Sequence, residues 1–197
     1  LKTEIFMPKK REKKKITVGI IGLGKMGYIR ADVVKKHPGF DLKFVCDTDE
    51  SKAKDFKNQK FFKDYKDLLG AKPDAVFVCT PNRFMADIVP LALNRGIHVF
   101  CEKPPGRTVA DIERMRRAEK LKKTVILKFG FNHRYHRAVQ EAKSIVESGR
   151  LGKILWIRGV YGKAGGPLYD KNWRVDPKIS GGGGNVPLRT RPSSSTT

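Results

Sequence analysis

Residues 16–27 read "ITVGIIGLGKMG". Six residues, Ile16 to Ile21, form an apolar run of β-branched character, the pattern of a strand covered on both faces. Gly22, Gly24 and Gly27 follow at once in G-x-G-x-x-G spacing, and "KMGYIRADVVKK" after them has helical periodicity until "HPG" stops it. Strand, glycine turn and helix in that order give the motif its physical content. Gly22 permits a tight turn and Gly24 lets the backbone approach a pyrophosphate. Gly27 lets helix and strand pack closely, while the helix N-terminus offers its N–H groups to the anion. Lys25 and Met26 lie inside the same turn and belong to the candidate cofactor site.

Outward from this unit, strands and helices alternate. "LKFVC" reads as a strand and "ESKAKDFKN" as a helix; "KFF" is a weak strand before the short helix "DYKDLLG". "AVFVC" is a strand, "RFMADIVPLALNRG" a helix with an internal Pro90, "IHVFCE" a strand, "TVADIERMRRAEKLKK" a long helix and "TVILKFGF" one more strand. Continuous hydrophobicity in the strands implies a doubly wound parallel sheet with helices on both faces, an α/β Rossmann architecture.

Asp47 ends the second strand, twenty residues after Gly27. A carboxylate there accepts hydrogen bonds from adenosine ribose hydroxyls and repels a 2′-phosphate, so NAD is favoured over NADP. Asp47 could instead cap the next helix, but Asp49 suits that role better. "CTPN", Cys79 to Asn82, ends the fourth strand on the same edge. Thr80 and Asn82 either contact the cofactor or cap the following helix, and Pro81 between them is a further candidate for cofactor contact.

Beyond Asn132 the rhythm changes. "HRAVQEAKSIVESG" reads as a helix, "KILWIRGVYG" as a strand, and a Gly-, Pro- and aromatic-rich loop runs on to Gly184. The expected organisation is a basic tail over 1–15, an NAD(P)-binding Rossmann domain over 16–130, and the beginning of an α/β substrate domain over 131–184. Residues 185–197 form a tail of different character.

The composition narrows the classes. The 197 residues are 39% apolar, enough for a globular core, and no apolar run approaches the length of a membrane helix. With basic residues but no apolar core behind them, residues 1–15 do not read as a secretory signal, so a cytoplasmic protein is expected. Cys46, Cys79 and Cys101 each end an apolar run and read as reduced strand residues. The formal charge of +22, from 42 basic and 20 acidic residues, invites a nucleic-acid reading. Only "KKREKKK" is clustered; the remaining excess lies on solvated helix faces, and attraction to an anionic small molecule accounts for it more simply.

Taken in order, the glycine fingerprint, "TPN", "CEKPPG", "FNHRYHRAV" and "GRLGKI" resemble the glucose-fructose oxidoreductase, inositol dehydrogenase and MocA family over about residues 16–184. The resemblance implies a Rossmann domain followed by an open-faced α/β domain that holds a sugar, cyclitol or nucleotide-sugar. It further implies hydride transfer between nicotinamide and a secondary alcohol or ketone, in a homo-oligomer. Lys103 would be the catalytic proton donor or acceptor beside the nicotinamide, with a cis bond to Pro104, and Glu102 and Lys103 would both belong to the cofactor-binding set. Trp173 and Arg174 of "NWRV" would reach the nicotinamide end of the cofactor. Arg134 and Tyr135 are weaker candidates for substrate contact. His133 and His136 read as helix-entry residues, and no metal site is expected. After "SGGG" the family continues with a G-x-H-x-x-D-like helix whose histidine partners the lysine; here the sequence reads "GNVPLRTRPSSSTT". Two other functions stay open on the sequence: a dinucleotide-binding module without catalysis, and a basic nucleic-acid-binding protein.

Overall fold

The computed structural model describes residues 14–160 and 172–181. The basic stretch before Lys14, most of the aromatic-rich loop and the final tail lie outside the described residues. Two compact units divide the chain, Leu1–Cys79 and Thr80–Thr197.

The first unit is built around β1 (Ile16–Ile21), which pairs in parallel with β2 (Phe40–Cys46) on one side and β4 (Ala75–Val78) on the other. β3 (Lys60–Phe62) extends the sheet beyond β2. Val18 and Ile20 are fully buried; they pack with Leu23, Leu42, Val45 and Phe56, and with Ala31 and Val34 of helix α1 (Lys25–Lys36). The buried positions Gly27, Ala31 and Val34 recur at helical spacing, so one stripe of α1 faces this core. Helix α2 (Tyr65–Gly70) adds Leu68 and Leu69, both fully buried. Where β1 and β4 begin, Thr17 Oγ1 donates to Asp74 Oδ2 at 2.7 Å and accepts from the Asp74 N–H at 2.9 Å.

In the second unit, helix α3 (Asn82–Asn94) buries Met85, Ile88, Val89, Ala92 and Leu93. Its neighbour α4 (Val109–Leu121) buries Met115 and Ala118 and starts with a reciprocal capping box between Thr108 and Asp111. Strand β5 (His98–Cys101) pairs in parallel with β6 (Leu127–Phe129). The six strands have the order β3-β2-β1-β4-β5-β6, that of a doubly wound dinucleotide-binding sheet. Helix α5 (Arg137–Glu147) follows, and the short helix α6 (Pro177–Ser180) closes the described chain.

The structure corrects three local expectations. Within the stretch expected as a loop to Gly184, Trp173–Val175 form a 3₁₀ turn and Pro177–Ser180 a short helix that Asp176 caps. Residues 50–55, read as part of a helix, form a 3₁₀ turn with no buried residue; only Phe56 beyond it reaches the core, too little apolar surface to hold a longer helix. The apolar run of "KILWIRGVYG" predicts a strand, yet residues 153–160 form none, and Leu155, Trp156, Ile157 and Val160 are exposed. A strand exists through the partner that takes its backbone groups. Among the described residues, none pairs with this segment. Cys46, Cys79 and Cys101 are free thiols, and no described helix is long and apolar enough to cross a membrane.

Candidate functional site

Within the first unit, the C-terminal ends of β1, β2 and β4 converge on the glycine turn. The Gly22 N–H donates to Cys46 O at 2.8 Å, and the Cys79 N–H donates to Ile21 O at 2.8 Å. Gly22 has φ of 92°, a conformation open to glycine. A Cβ on Gly27 would run into the carbonyl oxygen of Gly22, so helix and turn approach as closely as the fingerprint requires. A Cβ on Gly24 would meet nothing within 4 Å, which leaves this backbone open to an approaching group. Gly24 is also the N-cap of α1 and supplies no capping side chain. Lys25 is exposed and Met26 half-buried at the start of that helix.

Asp47 is tied into this turn. Its Oδ2 accepts from the Leu23 N–H at 2.7 Å and from Lys52 Nζ at 2.9 Å, while Oδ1 accepts from the Asp49 N–H at 2.9 Å. A carboxylate offers about four lone-pair positions, so Oδ1 retains one for a ribose hydroxyl. Asp49, not Asp47, caps the following turn: its Oδ1 accepts from the Ser51 N–H and hydroxyl, and these bonds hold its carboxyl below the usual range. Lys52 went unread in the sequence; a lysine five residues past the strand-end aspartate was the available signal. Beside Asp47, burial first and then the neighbouring carboxylates push the Cys46 thiol up to about 12.

In the second unit, the Lys103–Pro104 peptide is cis, as the resemblance implies. Lys103 is exposed, whereas Glu102 is buried at the end of β5. The Glu102 carboxylate accepts from the Lys103 N–H at 3.4 Å, and a Cβ on Gly130 would come within 3.0 Å of its Oε2. The turn closes as the Gly106 N–H donates to Pro104 O at 2.9 Å. Asp111 then secures it, accepting the Arg107 N–H at 2.9 Å.

Neither Thr80 nor Asn82 caps α3, whose N-cap is Pro81. The Thr80 hydroxyl is buried and has no hydrogen-bond partner. Asn82 is 1% exposed, and its Nδ2 donates to Ser180 O at 2.7 Å. Trp173 and Arg174 lie together on a 3₁₀ turn, with the guanidinium 4.7 Å from the indole centroid. Arg134 and Tyr135 occupy an exposed 3₁₀ turn after β6, where His133 also lies, and His136 is the N-cap of α5. Among the described residues, no group of three His, Cys, Asp or Glu could hold a metal ion.

The family profile described as "Oxidoreductase family, NAD-binding Rossmann fold" matches residues 16–131, more than half of the chain. This chain belongs to the GFO/IDH/MocA family. The GFO/IDH/MocA C-terminal domain profile matches residues 139–186. Among its relatives, the myo-inositol 2-dehydrogenase of Thermotoga maritima is 36% identical over 141 residues, 69% of this chain and 42% of that protein. The D-glucoside 3-dehydrogenase of Escherichia coli is 36% identical over 146 residues, 71% of this chain and 41% of that protein. In structure, the scyllo-inositol dehydrogenase from Lactobacillus casei with bound NAD(H) and scyllo-inositol matches with a TM-score of 0.67 and 30% identity, covering 71% of this chain and 43% of that one. The chain thus spans less than half the length of these GFO/IDH/MocA relatives.

The residues present fit NAD. Within the first unit, the glycine turn leaves an open backbone at an uncapped helix start, and Asp47 Oδ1 has lone-pair capacity beyond the Asp49 N–H.

Proposed function

We propose that this chain carries the nucleotide-binding part and the catalytic lysine of an NAD-dependent oxidoreductase acting on a secondary alcohol of a sugar, cyclitol or nucleotide-sugar. One observation carries the reading: the Gly22–Gly27 turn and Asp47 are hydrogen-bonded into one unit, within a match to an NAD-binding oxidoreductase family. The inositol and glucoside dehydrogenase relatives support the substrate class.

When bound, the nicotinamide accepts or returns a hydride at the carbinol carbon. The protein's residues handle the rest. The Gly22–Gly27 turn would hold the pyrophosphate through backbone N–H groups, and Asp47 Oδ1 would accept a ribose hydroxyl. Lys103 would take the proton from the substrate hydroxyl as its carbon loses hydride, and return it to the oxygen in the reverse direction. Glu102, Pro104 and Asp111 fix the turn that carries Lys103. Trp173 and Arg174 would serve the nicotinamide end, and Arg134 and Tyr135 would face the substrate.

The domain boundary we assign follows residue 130, with 131–184 beginning the substrate domain. The three free thiols support a reducing compartment, the cytoplasm, and we assign a homo-oligomeric assembly by likeness to the family. Incubating the chain with NAD and a panel of cyclitols, sugars and nucleotide-sugars tests the reading. NADH formation with at least one of them is expected; a silent panel from a chain that binds NADH would remove the catalytic part.

A further inference from the structure

Residues 172–181 carry Trp173 and Arg174 and are held by side chains distant in sequence. Asn82, at the buried start of α3, donates from Nδ2 to Ser180 O across 98 residues. Arg107 donates from Nη1 to Lys178 O at 2.8 Å across 71 residues. Both acceptors are carbonyls in the last turn of α6, where a helix leaves its C=O groups without intrahelical donors. Gly181 closes the same end with φ of 89°, and a Cβ there would meet Arg107 Cα at 2.8 Å.

Both anchors are themselves fixed. Asn82 is fully buried, so its amide would cost free energy there without such a partner. Arg107 has its N–H on Asp111 Oδ2 and its Nε 3.8 Å from the same oxygen. Inside the segment, Asn172 Oδ1 accepts from Arg174 N–H at 3.1 Å and from Arg174 Nη1 at 3.2 Å, and the guanidinium lies over Trp173. The Trp173–Arg174 pair is therefore locked to a short helix, and that helix is locked to α3 and to the turn after Lys103. Residues 173–176 are only half-buried, so these few polar bonds supply much of what orients them.

We infer that Asn82 and Arg107 are positioning residues: by holding the carbonyl end of α6 they set where the Trp173–Arg174 pair stands relative to the turn that carries Lys103. This rests on the reading above, in which the pair serves the nicotinamide end of the cofactor. The chemical consequence is selective. Loosening the clamp should cost affinity for the nicotinamide half of the cofactor and spare the ADP-ribose half, which the glycine turn and Asp47 hold.

The test compares NADH with ADP-ribose in the whole chain and in Arg107→Ala. Losing a charged donor and the contact it orients should weaken NADH about tenfold and ADP-ribose by less than about twofold. Arg107→Lys, which keeps a donor, should restore part of the NADH affinity. With Trp156→Phe leaving Trp173 as the only tryptophan, Arg107→Ala should also raise acrylamide quenching of Trp173 by about twofold or more, a mark of released packing. Equal losses for both ligands, or none, would overturn the selective role, and unchanged quenching would overturn the clamp. If the parent chain binds neither ligand, the cofactor reading fails and the selective role fails with it. The quenching result still decides, separately, whether the clamp exists.

Discussion

The Leu23 backbone N–H donates to Asp47 Oδ2 at 2.7 Å, joining the middle of the glycine turn to the end of β2. On the proposed reading Asp47 would have two tasks: it holds the glycine turn in place and would offer Oδ1 to a ribose hydroxyl. Asp47→Asn should preserve the fold and weaken NADH binding about tenfold, because a hydrogen bond to a charged acceptor is worth about 1.5–3 kcal/mol. It should also narrow the preference for NADH over NADPH, since the repelling charge is gone. Parallel titrations with the two cofactors check both effects.

The same added methyl group should cost much more stability at Gly27 than at Gly24. Gly27→Ala pushes a Cβ onto the Gly22 carbonyl, so a loss of about 1–3 kcal/mol in urea unfolding is expected together with lost NADH binding. Gly24→Ala meets nothing within 4 Å, so stability should fall by no more than about 1 kcal/mol, the cost of alanine in place of glycine at the N-cap. NADH affinity should nevertheless fall, because the methyl group would occupy the backbone face that, on the proposed reading, a pyrophosphate would approach.

Lys103→Ala should lower turnover by about 10²–10⁴-fold on any substrate the panel identifies, the usual range for a general acid or base. NADH affinity should change by less than about threefold, within the effect of a lost surface contact. Lys103→Arg should not restore turnover, since a guanidinium does not give up its proton in proteins. Steady-state rates and a binding titration on the same preparations separate the two effects.

Tyr28 Oη donates to Asp55 Oδ2 at 2.6 Å, and this bond, followed by burial and the Asp55 charge, raises the phenol to about 12. The unfolded phenol titrates near pH 10, so the folded state favours the neutral form. Its contribution is fully present below about pH 10 and is lost as pH rises through about 12. The pair is exposed, so the amplitude is small. Tyr28→Phe should flatten the difference in urea stability between pH 9 and pH 12, by about the amount the parent loses there through this group.

The sequence is most readable where local pattern and tertiary environment agree. For β1 and α1, the continuous apolar run, the glycines and the "HPG" stop place both elements over the residues they occupy, 16–21 and 25–36. Reading "KILWIRGVYG" as a strand failed over 153–160 because apolar content marks a segment that can pair, while pairing needs a neighbour. The bonds that Asn82 and Arg107 make to α6 have no local signal for another reason: their carbonyl acceptors lie 98 and 71 residues away, beyond any local period. The α6 helix falls inside the stretch expected as a loop to Gly184, although "VDPK" carries a local signal for it, with Asp176 as N-cap, Pro177 at the first helical position and Gly181 at its end. Lys103 needed the family pattern, since a lysine after a strand has no signature of its own.

On the proposed function, this chain binds NAD through the turn that Asp47 holds. Equilibrium titration of the whole chain with NADH, followed by the cofactor's fluorescence, tests it most directly. Saturable binding in the micromolar range is predicted, whereas no saturation up to millimolar NADH by a folded chain would contradict the account.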